Sequence, residues 1–318
     1  MRALVTGAAG FVGRHLVRQL RESGDDVCAL VPPSDSREGL FPPDIVAPDD
    51  VVICDLLEDE RVTQSIARAA PDAIYHLAGY SNPEGSLSSA RRTLETNIFG
   101  AQNLLEASLK SGRAPRVLLI GSAQQYGHVA EDDQPIREDA AQKPLTPYAV
   151  SKATQELLGQ RYFVAEDLPV LWTRSFNHTG PGQAATYVCS SFAKQVVDVE
   201  KGKAVPEIHV GNLAAQRDFT DVRDVAAAYA ALVGKGTAGV AYNVGSGEAV
   251  AIEEVLATLV SLSEVDIEVR VDPERYHRVD APLIVGDVTR LQQDTGWARR
   301  LSLRQTLQDL LDDWRRRA

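Results

Sequence analysis

Arg2-Ala3-Leu4-Val5-Thr6-Gly7-Ala8-Ala9-Gly10-Phe11-Val12-Gly13 stands at the start of the chain and decides how the rest is read. Arg2 to Thr6 is a short apolar run with the character of a buried strand. Gly7, Gly10 and Gly13 follow, and Val12, Leu16, Val17 and Leu20 recur with helical period up to Gly24. A strand that feeds a glycine turn and then a helix lets backbone come close to a pyrophosphate. The helix N-terminus adds its partial positive charge and open N–H groups. The spacing is GxxGxxG rather than GxGxxG, and in this context it reads as a dinucleotide site, not merely as a turn.

Outward from this unit, apolar strand-like runs recur at 27–31, 51–54, 73–77, 117–120 and 170–173. Helical candidates at 59–69, 86–111 and 148–166 lie between them. Such alternation predicts an α/β fold, a Rossmann-type doubly wound parallel sheet with helices on both faces. Ligands of these sheets bind beyond the carboxyl ends of the strands. Gly7, Asp55, Ala78, Ser122 and Asn177 each follow a predicted strand, so the chemically suggestive residues collect at one edge. After residue 177 the pattern loosens into loops such as Gly180-Pro181-Gly182, with helices expected from near Asp221, over 251–263 and over 302–317. The last of these puts Leu303, Leu307, Leu310, Leu311 and Trp314 on one face. Residues 1–176 are thus expected to form the dinucleotide-binding domain. Residues 177–318 are expected to form mainly a smaller substrate-binding lobe, with some segments returning to the main sheet.

Pro147-Tyr148-Ala149-Val150-Ser151-Lys152 places a tyrosine and a lysine at i and i+4, on one helix face. A free phenol titrates near pH ~10 and is a poor acid–base group at neutral pH without help. An ammonium at ~4 Å in an effective dielectric of ~20 attracts a phenolate by roughly 4 kcal/mol before desolvation, and one pKa unit is about 1.4 kcal/mol. Ser122, upstream, is placed to hydrogen-bond the same reacting oxygen. Ser122, Tyr148 and Lys152 therefore read as a proton-delivery set.

Composition narrows the class. The 318 residues carry a formal net charge of −11, with 44% hydrophobic and 24% charged residues, as in ordinary soluble proteins. No basic stripe offsets the acidity, so nucleic acid is not an expected partner. Arg315, Arg316 and Arg317 read as a solvated helix end. Cys28, Cys54 and Cys189 have no CxxC or metal-ligand spacing, and Cys28 and Cys54 lie in strand-like runs. His15, His76 and His178 show no metal spacing either. No run approaches a membrane span and no signal-like segment precedes the first strand, so the expected location is the cytoplasm.

Gly7-x-x-Gly10-x-x-Gly13, His76-Leu77-Ala78, Asn97, Ser122 and Tyr148-x-x-x-Lys152 together resemble the extended short-chain dehydrogenase/reductase family, over essentially the whole chain. The resemblance implies that Tyr148 is the acid–base catalyst, that Lys152 lowers its pKa and holds the nicotinamide ribose, and that Ser122 binds the substrate oxygen. It also implies a cofactor set of Gly7, Gly10, Phe11, Val12, Gly13, Arg37, Asp55, Leu56, Leu77, Ala78 and Asn97 beside Tyr148 and Lys152. Asp55 would bond the adenine amino group.

Three further stretches resemble the GDP-sugar branch of that family: Phe176-Asn177-His178-Thr179-Gly180-Pro181-Gly182-Gln183, the run 211–225 containing Arg217, and Arg278-Val279-Asp280-Ala281-Pro282. They imply reduction of the C4 ketone of GDP-4-keto-6-deoxy-D-mannose to GDP-D-rhamnose or to its C4 epimer, GDP-6-deoxy-D-talose. By the same resemblance Arg217 and Arg278 grip the diphosphate, as a bidentate guanidinium should. Asn177 bonds the sugar or its phosphate, Lys194 lies near the nucleotide, and the helices 86–111 and 148–166 pair in a homodimer. The related GDP-mannose 4,6-dehydratases carry a carboxylate two residues after the serine or threonine that ends the fifth strand. Here Ser122-Ala123-Gln124 puts an amide there, and an amide has no basic lone pair for proton abstraction near neutral pH. Gln124 and Gln125 remain candidates for hydrogen bonds to sugar hydroxyls.

Cofactor preference is read where the second strand ends, Leu30-Val31-Pro32-Pro33-Ser34. No acid stands there to hold a ribose 2′-OH, while Ser34, Ser36 and Arg37 suit a 2′-phosphate. This favours NADPH, and nearby Asp35 leaves NADH open. Two other readings share the motifs: a nucleotide-sugar 4-epimerase with tightly bound NAD, and a non-catalytic Rossmann protein that senses nicotinamide redox state.

Overall fold

The computed structural model describes residues 1–35, 40–42, 44–82, 85–272 and 281–318. Its strands are β1 (Arg2–Thr6), β2 (Asp26–Val31), β3 (Val51–Ile53), β4 (Ala73–His76), β5 (Arg116–Ser122), β6 (Val170–Ser175) and β7 (Asn177–Thr179). They continue as β8 (Glu207–Val210), β9 (Gln216–Asp221), β10 (Ala241–Val244), β11 (Ala249–Ala251), β12 (Glu268–Val271) and β13 (Leu283–Ile284). Seven of them form a parallel sheet in the order β10-β6-β5-β4-β1-β2-β3. The chain begins in the middle of this sheet and winds outward in both directions, so the carboxyl ends of β1 and β4 flank the point where the winding reverses.

The helices are α1 (Phe11–Glu22), α2 (Asp59–Ala69), α3 (Gly85–Ser88), α4 (Ala90–Leu94), α5 (Gly100–Lys110) and α6 (Pro147–Glu166). After them come α7 (Val188–Glu200), α8 (Val222–Lys235), α9 (Ile252–Ser261), α10 (Thr289–Thr295) and α11 (Leu303–Arg317). Because side chains alternate along a strand, Ala3 and Val5 of β1 face one layer and Leu4 the other. The first layer is closed by Leu16, Val17 and Leu20 of α1 and by Val225, Tyr229 and Leu232 of α8. The second is closed by Val62 and Ile66 of α2, Leu104 and Leu105 of α5, and Tyr162 of α6. Strands buried on both faces read as continuous apolar runs, which is why these are visible in the sequence.

A smaller core joins Phe192 and Val196 of α7, Val255 and Leu259 of α9, and Leu307, Leu310 and Leu311 of α11 over β8 and β9. The second half of the chain does not stand apart from the first: β10 extends the main sheet beside β6, and α8 packs against α1 and β5.

One predicted helix is broken. The expected helix over 86–111 divides into α3 and α4, a π-helical turn at Glu95–Phe99, and then α5. The wider turn places Asn97 so that it accepts from the Tyr80 amide at 2.7 Å and donates to the Ser151 hydroxyl at 2.8 Å. Insertions of this kind in a helix are frequent beside functional sites.

Candidate active site

A cleft of about 1930 Å³ crosses the carboxyl ends of the strands, from Pro32 to Asp35 after β2 and Asp55 after β3, over the glycine turn, to Ser122, Tyr148 and Lys152, and on to Asn177 and Arg217. Pockets for a single drug-sized ligand run to ~300–1,000 Å³, so this cleft has room for two ligands side by side.

The glycine turn is built for close approach. Gly7 has φ +67°, and a Cβ there would meet the Ala78 nitrogen at 2.8 Å; a Cβ on Gly13 would overlap the Gly7 carbonyl oxygen. Only glycine fits these positions without displacing backbone. No side chain caps the N-terminus of α1, and Phe11, Val12 and Gly13 of its first turn line the cleft. Open N–H groups and the helix dipole at that spot suit a pyrophosphate, so the residues present fit a dinucleotide. Leu56, Leu77 and Ala78 also line the cleft, as does Asp55, whose carboxylate accepts from the Leu57 amide at 3.0 Å. Ser34 lines it too, whereas Ser36, Arg37 and Arg278 lie outside the described residues.

Further along the cleft stand Ser122, Tyr148 and Lys152, the expected proton-delivery set. Pro147 occupies the first turn of α6 and the Thr146 hydroxyl caps it, accepting from the Ala149 amide at 3.1 Å. This fixes the start of the helix, and Tyr148 and Lys152 follow one turn apart, 8% and 5% exposed. Burial pushes the Tyr148 phenol up to about 12, with a hydrogen bond from Ser122 acting the other way. The phenol is thus loaded with its proton at neutral pH. Burial also pulls the Lys152 ammonium down to about 8. Its Nζ donates to the Ile120 carbonyl at 2.7 Å and to Gln155 Oε1 at 3.1 Å. The expected lowering of the Tyr148 pKa by Lys152 is therefore not what this structure shows: the lysine is held by β5 and by its own helix, and burial dominates the phenol.

Gln124 is exposed in the cleft and Gln125 is not. The expectation that Gln125 meets sugar hydroxyls is corrected: its side chain is buried, with Oε1 accepting from the Ser122 amide at 2.8 Å and Nε2 donating to Glu156 at 2.8 Å. Ser122 caps the short 3₁₀ turn Ala123–Tyr126, and Gln125 completes a capping box with it. The spacing Ser122-x-x-Gln125 is the sequence sign of that box. Asn97, expected among cofactor contacts, is likewise buried and spends its amide on Tyr80 and Ser151. Lys194, expected near the nucleotide, is not a lining residue and pairs with Asp198 at 2.5 Å along α7. Asn177 and Arg217 do line the cleft; Arg217 Nη1 donates to the carbonyls of Ala281 at 2.7 Å and Gln216 at 2.8 Å, which aims β9 and the segment before β13 at the same region.

Two tyrosines that the sequence does not single out line the cleft with Tyr148: Tyr187 at the head of α7 and Tyr229 on α8. Tyr229 also shares a hydrogen bond with Ser175 at 2.8 Å. Tyr229 sits in an apolar helix and reads as core, and nothing local marks Tyr187. Phe11 stacks on His178 with ring centroids 6.1 Å apart, which joins the glycine turn to the strand carrying Asn177. Among the described lining residues the carboxylates are Asp35, Asp55 and Glu95. The first two lie beyond β2 and β3, and Glu95 pairs with Arg91 at 2.8 Å, so none stands in the position of Gln124.

Comparison with known proteins agrees with this geometry. The chain is 36% identical over 316 residues to the GDP-6-deoxy-D-mannose reductase of Pseudomonas aeruginosa, covering 99% of this chain and 98% of that one. Among solved structures, RMD from Pseudomonas aeruginosa complexed with NADPH superposes with a TM-score of 0.87 at 33% identity, covering 100% of both chains. The UDP-glucose 4-epimerase of Thermus thermophilus in complex with NAD also superposes with a TM-score of 0.87, at 27% identity and 99% coverage of each. The family described as GDP-mannose 4,6 dehydratase matches residues 4–310. With a glycine turn, a buried Tyr148–Lys152 helix and a match of this extent, the chain belongs to the GDP-mannose 4,6-dehydratase family of extended short-chain dehydrogenases/reductases.

Proposed function

We propose that this oxidoreductase reduces the C4 ketone of GDP-4-keto-6-deoxy-D-mannose with NADPH, giving GDP-D-rhamnose or its C4 epimer. The observation that carries the reading is Gln124: the cleft keeps the serine and tyrosine of a carbonyl reductase but, among its described residues, offers no carboxylate beside them for elimination. The 36% identity to a protein named as a GDP-6-deoxy-D-mannose reductase and the NADPH held by a structural relative support it.

A reduced nicotinamide supplies the hydride when bound in the cleft. The residues of the chain do the rest. The first turn of α1 would hold the pyrophosphate, with Leu77 and Ala78 lining the cleft beside it. The Ser122 hydroxyl orients the ketone oxygen, and Tyr148 Oη gives that oxygen its proton as negative charge develops there. Lys152, tied to the Ile120 carbonyl and to Gln155, would keep a positive charge at this end of the cleft and would hold the nicotinamide ribose. Arg217, with Asn177, holds the sugar diphosphate. The face of the ketone that receives hydride decides between the two products.

The chain acts as a homodimer through α6. Val150, Leu157 and Val164 recur every seven residues on it and are 40%, 59% and 77% exposed, with Phe99 in the π-helical turn also exposed. Among the described residues no helix is long and apolar enough to cross a membrane, and the three cysteines are buried and unpaired; we place the enzyme in the cytoplasm.

Oxidation of NADPH on addition of GDP-4-keto-6-deoxy-D-mannose, with GDP-mannose as control, tests the reading. Oxidation with the keto sugar alone supports it, and identifying the product fixes the face. Absence of oxidation, with stoichiometric NAD in the purified protein, counts against the reductase and favours the 4-epimerase.

A further inference from the structure

Beneath Ser122, Tyr148 and Lys152 lies a buried polar assembly that none of the steps above employs. Glu156 stands one helical turn after Lys152 on α6 and is 2% exposed, and Arg174 of β6 is 5% exposed. The guanidinium grips the carboxylate in a fork, with Nη2 at 2.6 Å from Oε1 and Nε at 3.0 Å from Oε2. Arg174 Nη1 donates to the Glu138 carbonyl at 2.9 Å, and the guanidinium lies 4.9 Å from the centre of the Tyr126 ring. Three amides complete the carboxylate, Gln160 Nε2 donating to Oε1 at 3.4 Å. Gln125 Nε2 donates to Oε2 at 2.8 Å and Gln142 Nε2 to Oε1 at 2.8 Å.

These bonds are not equivalent in what they connect. Gln125 Oε1 also accepts from the Ser122 amide at 2.8 Å. The Gln142 side chain reaches the Ser122 turn only through Gln125, 3.2 Å away. A buried carboxylate that already receives a forked guanidinium has little freedom to move, since each lost bond would leave a desolvated charge unpaired. The amide it holds is fixed in turn. Ser122 ends β5 and Tyr148 begins α6, so their separation is set by contacts between the two elements. The chain Glu156–Gln125–Ser122 joins the two elements directly below the place where their hydroxyls meet.

We propose that Glu156 and Gln125 are positioning residues: the carboxylate on α6 holds the Gln125 amide, and that amide holds Ser122 at the separation from Tyr148 needed to share one substrate oxygen. The inference rests on the reductase reading only for the identity of that oxygen. Reaction geometry tolerates little displacement, so loss of the link is expected to cost rate rather than binding.

The test compares Gln125→Leu with Gln142→Leu, which each remove an amide bond to the same carboxylate. Crystal structures of the wild type and both variants report the Ser122–Tyr148 hydrogen bond, and steady-state kinetics and NADPH titration report function. Gln125→Leu is expected to break that bond and lower kcat at least tenfold, with KM for the keto sugar and Kd for NADPH within twofold. Gln142→Leu is expected to keep the bond and keep kcat within twofold. Retention of the bond and of kcat in Gln125→Leu, or equal losses in both variants, would overturn the proposal, because a general structural role affects both alike. Should Gln125→Leu fail to fold, Gln125→Asn, one methylene too short to span Ser122 and Glu156, is read in the same way. A wild type inactive on the keto sugar refutes the reductase reading alone, since the Ser122–Tyr148 bond in the crystals still decides the positioning role.

Discussion

The Lys152 ammonium donates to the Ile120 carbonyl at 2.7 Å, two residues before Ser122 on the same strand. The lysine thereby braces α6 against the strand that carries Ser122, while its charge sits in a buried place. Burial lowers its pKa from the usual lysine range to about 8. Below that value the charged ammonium braces α6 against β5; above it the charge that strengthens this brace is lost. Reductive kcat is therefore expected to stay level through neutral pH and to fall as pH rises through about 8. A kcat profile from pH 6 to 10 checks this, and in Lys152→Arg, whose charge persists to far higher pH, the alkaline fall should disappear even if the rate is lower.

Tyr148→Phe is expected to lower kcat by ~10²–10⁴, the usual worth of a general acid, with NADPH affinity little changed. Stopped-flow single turnover together with fluorescence titration separates the two. Turnover near the wild-type rate would remove Tyr148 from its role.

Arg217→Met should act on binding. A charge-assisted hydrogen bond contributes about 1.5–3 kcal/mol, so KM for the nucleotide sugar is expected to rise roughly 10–100-fold while kcat changes far less. Steady-state kinetics at saturating NADPH measures both.

Acid should destabilise the fold through His76. The ring is fully buried, its Nδ1 is 2.9 Å from the Thr6 hydroxyl, and Nε2 has no hydrogen-bond partner among the described residues. Burial lowers its pKa from 6.5 to about 3. A depressed pKa means that the unfolded chain binds more protons between these values. The stability that depends on neutral His76 is thus complete above pH 6.5 and is lost as pH falls toward 3, by at most roughly 5 kcal/mol. Urea unfolding between pH 7 and 4 should show this slope, and His76→Gln, which cannot titrate, should flatten it.

Leu157→Asp combined with Val164→Asp should turn the proposed dimer into a monomer, because charges would replace the most exposed apolar side chains of α6. Light scattering after size exclusion gives the mass directly. An unchanged dimer would move the interface elsewhere.

Much of this molecule is legible in one dimension. The strands of the main sheet are buried on both faces and so are written as unbroken apolar runs, and the glycine turn is written in residues whose missing Cβ atoms are required by contacts at Ala78 and Gly7. The pair Tyr148 and Lys152 follows from helical periodicity alone. The segment 86–111 reads as one helix because a π-helical turn leaves no mark in periodicity; that turn is maintained by the Asn97 bonds to Tyr80 and Ser151, which lie far along the chain.

The amide roles divide in the same way. Gln124 and Gln125 are adjacent and chemically alike, yet one stands in the cleft and the other is buried under it. A local signal exists, since Ser122-x-x-Gln125 is a capping-box spacing, but the partner that holds Gln125, Glu156, is 31 residues away.

The sequence by itself determined the α/β class, the place of the glycine turn and the spacing of Tyr148 and Lys152 on one helix, because each depends on residues within a few positions of one another. Only the tertiary structure decided that Lys152 is tied to Ile120, that Tyr187 and Tyr229 line the same cleft as Tyr148, and that Glu156 and Arg174 hold the amide bonded to Ser122. Those relationships are set by burial and by hydrogen bonds between segments distant in the chain, where desolvation selects partners that no spacing encodes.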